Sequence, residues 1–161
     1  MIVYLDFDGV IATTESYARA LAEGRYDGKG FPAQADPPDV FDRECVARVN
    51  ELCAYADAGI VVSSAWGMRW SLPQLQALLA SVGLTAPVLG ITPRKMSSWR
   101  YTEIRWDMVA RRIGPTRVII IEDAEPMHTL TPRTVRTQEE TGFDAVALVA
   151  AKALCAPREN P

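Results

Sequence analysis

Four short apolar runs, each stopped by polar residues, constrain the fold of this chain more than any other feature. Ile2 to Leu5 runs into Asp6-Phe7-Asp8-Gly9, Ile60-Val61-Val62 into Ser63-Ser64, Val88 to Ile91 into Thr92, and Val118 to Ile121 into Glu122-Asp123. Such runs read as strands buried on both faces, which is the signature of a parallel sheet. Helical patterns separate them. Cys45, Val49, Leu52, Cys53 and Ala56 follow the 3.6-residue period, with Asp42 as N-cap and Gly59 just past the end. Ser71-Leu72-Pro73-Gln74 matches a capping box ahead of Leu75, Leu78, Leu79 and Val82, and Gly83 stops that helix. Further helices are expected over Tyr101 to Ile113 and Asp144 to Leu154, with a weaker strand around Val135. Alternation of this kind predicts an α/β fold: a Rossmann-like three-layer sandwich, its central sheet mostly parallel, with helices on both faces and a minimal cap.

A length of 161 residues fits one domain. We read residues 1–156 as that domain, with a small lid inserted near 12–40, and 157–161 as a polar tail. The lid follows from the Gly- and Pro-containing stretch Ala12 to Pro38, inside which Thr14 to Glu23 is expected to be helical. Seventeen basic against twenty acidic residues give a net charge of −3, so no general basic field gathers nucleic acid. Cys45, Cys53 and Cys155 are odd in number and lack CxxC pairing, which points to reduced thiols rather than zinc or disulfides. No leader pattern and no spanning apolar stretch is present, so a cytoplasmic protein without membrane association is expected, and no obligate protein partner is evident.

The strand ends carry the chemistry. Asp6 and Asp8 sit one residue apart where the first strand stops, and Gly9 permits a turn that swings Asp8 away while its carbonyl faces inward. Glu122-Asp123 would bring more acids to the same edge. Carboxylates about 4 Å apart repel by roughly 4 kcal/mol at an effective dielectric near 20, and a hard divalent cation relieves this. Oxygen-only ligands favour Mg²⁺.

In these residues the chain resembles the haloacid dehalogenase (HAD) superfamily of phosphatases. Asp6-Phe7-Asp8-Gly9-Val10 matches its first motif, Ser63 its second and Glu122-Asp123 its fourth. Arg100, ahead of Tyr101-Thr102-Glu103-Ile104, fits the basic residue of the third, with Lys95 in reserve. Phe41 to Trp66, with Arg48 to Leu52 leading into Ile60 to Trp66, and Arg100 to Trp106 also resemble the small branch found as a domain of RNA-repair proteins. The resemblance implies that Asp6 attacks phosphorus to form an aspartyl-phosphate while Asp8 serves as acid and then base. It implies that Asp6, the Asp8 carbonyl and Asp123 hold Mg²⁺, with Glu122 acting through water, and that Ser63 and Arg100 bind phosphate oxygens. Ser64 either joins that phosphate site or simply leads the following turn.

The expected substrate is a phosphorylated small molecule or a nucleic-acid end. A nucleotide or nucleic-acid end phosphate is favoured over a sugar or metabolite phosphate, because Trp66, Trp70, Trp99 and Trp106 flank the second and third motifs and could stack on a base. Core packing is nonetheless the favoured reading of these rings. His128 reads as a loop histidine, and the cluster Arg94, Lys95, Arg100 and Arg105 as a solvated face or a steering patch. A receiver-like signalling module is the alternative from another class, but it carries its acidic pair first and its acceptor Asp later in the chain. Here that order is reversed.

Overall fold

The computed structural model describes residues 1–26, 40–93, 99–125 and 128–155. Strands β1 (Ile2–Leu5), β2 (Gly59–Val62), β3 (Val88–Ile91), β4 (Val118–Glu122) and β5 (Thr134–Arg136) form one sheet in the order β3-β2-β1-β4-β5. Every pairing is parallel. That order is Rossmann-like and differs from the 2-1-3-4-5 order of receiver folds.

Alternation along each strand divides the core in two. Val3, Leu5, Ile60, Val62, Ile119 and Ile121 pack against α2 (Arg43–Ala56), α3 (Leu72–Ser81) and α5 (Ala145–Cys155). Ile2, Tyr4, Val61, Val118 and Ile120 face the other way, onto Tyr101, Ile104 and Met108 of α4 (Arg100–Ala110) and Leu130. The sheet therefore carries helices on both faces, as the apolar runs predict. α1 (Thr14–Ala22) follows β1 and is started by a reciprocal pair, the Ser16 N–H donating to Thr13 Oγ1 and the Thr13 N–H to Ser16 Oγ. Among the described residues no helix is long and apolar enough to cross a membrane. The three cysteines are free, Cys45 and Cys53 buried and Cys155 half-buried.

Two boundaries differ from the sequence reading. α2 ends at Ala56 because Asp57 takes up the left-handed conformation (φ 47°), and Gly59 lies inside β2. A Cβ at Gly59 would lie 2.5 Å from Leu89 Cδ1, so the glycine serves strand packing and not helix termination. α4 begins at Arg100 and stops at Ala110, ahead of Arg112 at φ 55°. The stretch 27–39, which falls within the expected lid, and the tail lie outside the described residues, as do Arg94 and Lys95.

Candidate active site

The register of the sheet assembles the site. Ile91, Val62, Leu5, Ile121 and Val135 form one row across it. One residue further on, the ladder continues: the Thr92 N–H donates to Val62 O (2.9 Å), the Ser63 N–H to Leu5 O (2.9 Å) and the Asp6 N–H to Ile121 O (3.1 Å). Thr92, Ser63, Asp6 and Glu122 thus line the C-terminal edge side by side. By strand alternation they lie on the face that α4 covers.

α4 supplies the cation. Its first residue, Arg100, puts Nη1 3.2 Å from Asp6 Oδ1 and 3.9 Å from Glu122 Oε2. The helix is fixed to the sheet by a buried bond from the Tyr4 hydroxyl to Asp107 Oδ2 (2.8 Å), which also accepts from Arg111 Nε (2.7 Å). A core tyrosine of β1 therefore helps hold the helix whose first residue sets a guanidinium beside Asp6, just past the end of that strand.

Asp6, Glu122 and Asp123 each offer an oxygen within 4.8 Å of the others. Were all three ionised, each carboxylate pair would repel by about 3 kcal/mol at an effective dielectric near 20. Asp6 is 4% exposed and Glu122 2%, so solvent screens little of this. Burial first, and then the charge of Asp6, pushes the Glu122 carboxyl up to about 9. Glu122 Oε2, Ser63 Oγ and Thr92 Oγ1 are buried without a hydrogen-bond partner, and Arg100 Nη1, equally buried, has only its ion pairs with Asp6 and Glu122. Orphaned groups of this kind in a native fold call for a ligand. An oxygen-only set of three acids, one with an unsatisfied buried oxygen, fits a hard divalent cation.

Asp8 points elsewhere. Phe7 O accepts from the Val10, Ile11 and Ala12 N–H groups (3.1, 2.9 and 2.8 Å), and Gly9 at φ 67° turns the chain tightly behind Asp6. The Asp8 carboxylate faces Trp66, whose Nε1 donates to Oδ2 (3.1 Å) and Oδ1 (3.4 Å), and Tyr17, whose hydroxyl donates to Oδ1 (3.3 Å). It is not among the converging acids. Burial and the charge of Asp6 raise its carboxyl above the ordinary range, while the two donors act against that rise. The turn is held from behind by Thr137, whose hydroxyl donates to Gly9 O (2.7 Å), and by the Phe143 N–H donating to Val10 O (2.8 Å). A Cβ on Gly9 would lie 2.5 Å from Asp123 Oδ2, so only glycine lets Asp123 approach this closely.

Of the residues singled out in the sequence, Asp6, Ser63, Arg100, Glu122 and Asp123 come together. Lys95 lies outside the described residues. Ser64 caps the short 3-10 turn Ala65–Met68 by accepting from the Trp66 N–H (3.4 Å). Trp66 packs edge-on against Phe7 (5.6 Å) and at a tilt to Phe41 (5.2 Å), so it is both core and site. Thr92, Tyr17 and Thr137 are absent from the sequence-derived set. Thr92 follows an apolar run just as Ser63 does, a signal that could have marked it. Tyr17 and Thr137 carry no local signal.

A family model described as the HAD domain in Swiss Army Knife RNA repair proteins matches residues 2–148. Neither a search of curated proteins nor one of solved structures gave a match.

Proposed function

Since this chain belongs to the family of HAD domains found in RNA-repair proteins, hydrolases that work through an aspartate nucleophile, we propose that it is a Mg²⁺-dependent phosphomonoesterase whose nucleophile is Asp6. The observation that carries this reading is the convergence of Asp6, Glu122 and Asp123 within 4.8 Å, with Arg100 Nη1 3.2 Å from Asp6. A carboxylate oxygen of Asp6 attacks phosphorus, and the ester P–O bond breaks with its electron pair on the leaving oxygen. That oxygen takes the proton of Asp8. Asp8, now ionised, accepts a proton from a water whose oxygen attacks the phosphorus, and the bond to Asp6 breaks to release phosphate. Arg100 and the hydroxyls of Ser63 and Thr92 bind the phosphoryl oxygens, which gives their buried polar atoms partners. Lys95 stands as the alternative to Arg100, and the Ser64 N–H as a further donor. A Mg²⁺ held by Asp6, Asp123 and the carbonyl of Asp8, with Glu122 acting through water, would offset the charge that phosphate brings among these acids.

The substrate class favoured is a nucleotide or a nucleic-acid end phosphate. Trp99, directly ahead of Arg100, is 69% exposed, which suits a base-stacking surface and not a core residue. The stretch from Ala12 to Pro38 is too short to enclose a substrate as a separate cap domain would. Phosphate release from a 3′-phosphorylated oligonucleotide, free nucleotides and hexose phosphates, each with Mg²⁺ and with chelator, tests the proposal. Preference for the oligonucleotide or nucleotides supports it, and preference for the sugars overturns the substrate class. Equal release in chelator overturns the metal requirement.

A further inference from the structure

Among the described residues, Asp8 is the one acid of this site held by neutral side-chain donors from two separate elements. Trp66 Nε1 donates to both of its carboxylate oxygens, and the Tyr17 hydroxyl to one of them. Neither donor is there by chance of exposure. Trp66 is buried and packs with Phe7 and Phe41 in a three-ring cluster that restrains its indole. Tyr17 lies on α1, packed at a tilt against Tyr26 (5.7 Å), with its hydroxyl turned to Asp8. A carboxylate beside Asp6 and Asp123 has a second arrangement open to it: it could rotate toward the cation site and become one more ligand. Two donors on the far side select against that.

We propose that Trp66 and Tyr17 are positioning residues that clamp the Asp8 carboxyl on the leaving-group side and away from the acids that gather the metal, so that it can act as a proton donor. The proposal rests on the reading of Asp6 as nucleophile and Asp8 as acid, and adds how Asp8 is kept to its role. Neutral donors suit this because a cation in their place would hold Asp8 ionised and unable to give a proton. The Trp66 Nε1–H can only donate, and the Tyr17 phenol is too weak a base to take Asp8's proton, which leaves it for the leaving oxygen.

Leaving-group dependence separates a positioning role from a merely structural one. An alkyl phosphate needs protonation as its P–O bond breaks, whereas an aryl phosphate with an acidic phenol departs largely unaided. kcat/KM, which covers the steps through departure of that group, is the quantity to compare for both substrates in Trp66→Phe and Tyr17→Phe. The expected result is a loss at least tenfold greater with the alkyl than with the aryl phosphate in Trp66→Phe, and a smaller excess of the same sign in Tyr17→Phe. Tyr17→Phe removes a single partly buried hydroxyl, so it carries the test should Trp66→Phe fail to fold. Equal losses on both substrates would overturn the clamp while leaving the nucleophile assignment intact. An absence of phosphate release from either substrate by the unmodified protein would instead overturn the parent reading, and the clamp with it.

Discussion

Replacing Glu122 with glutamine should make the metal-free protein more stable, although it alters a buried residue of the site. Glu122 ionises near 4.5 in an unfolded chain and at about 9 in the folded one, because burial and the charge of Asp6 both oppose its anion. Between those values the folded state holds a proton that the unfolded state has released, so stability falls as pH rises, by about 1.4 kcal/mol per pH unit. At pH 7 the accumulated cost is about 3 kcal/mol, and it depends only on Glu122 still being protonated there. Below pH 4.5 both states carry the proton and the cost vanishes. Glutamine is neutral throughout and escapes it. In chelator, thermal unfolding of Glu122→Gln at pH 7 should come on the order of 5–10 °C higher than the unmodified protein, with the two converging toward pH 4.5. Saturating Mg²⁺ should narrow or reverse the gap, since the cation favours the ionised carboxylate. A variant less stable than the unmodified protein in chelator at pH 7, or an unmodified protein whose stability does not decline with pH, would refute this account of the acidic cluster.

Gly9→Ala must adopt φ near 67° and place its Cβ 2.5 Å from Asp123 Oδ2. It should lose about 1–2 kcal/mol in denaturant unfolding, and moving Asp123 should raise the Mg²⁺ concentration for half-maximal activity on the order of tenfold; unchanged Mg²⁺ dependence would contradict the close approach. Asp42 caps α2 by accepting from the Glu44 and Cys45 N–H groups (2.9 and 3.1 Å), and Asp42→Ala should cost about 1 kcal/mol. Burial works against its charge, but the bonds from Cys45, Arg19 and Glu44 prevail and its carboxyl is held below the ordinary range. That contribution is present above about pH 4 and lost as pH falls below it, so acid unfolding curves of the variant and the unmodified protein should converge at low pH.

β1, β2 and β4 were legible because each is an apolar run buried on both faces, and β3 as an apolar run although Leu89 is exposed; their ends could be placed at one edge because a parallel sheet has only one carboxyl edge. Asp42 and the Ser71–Gln74 pair marked helix starts through local chemistry, the Ser71 N–H donating to Gln74 Oε1 (2.9 Å). Partners brought together by tertiary structure left no such mark. Trp66 is 58 residues from Asp8 and Thr137 is 128 from Gly9, and no periodicity links either pair. Gly59 misled for the opposite reason: its position suits a helix terminus, yet Asp57 tolerates the left-handed turn and the glycine is needed where Leu89 presses on the strand. The four tryptophans illustrate both outcomes, since the ring of Trp66 is sealed in the core while that of Trp99 stands in solvent.

Chemical trapping of the covalent intermediate tests the central claim most directly. Quenching the reaction during turnover and reducing it with borohydride converts an aspartyl-phosphate into homoserine, which peptide mass mapping locates. The account predicts homoserine at Asp6, appearing only when substrate and Mg²⁺ are both present. Steady release of phosphate with Asp6 unmodified, or the modification appearing at Asp8 or Asp123, would contradict it.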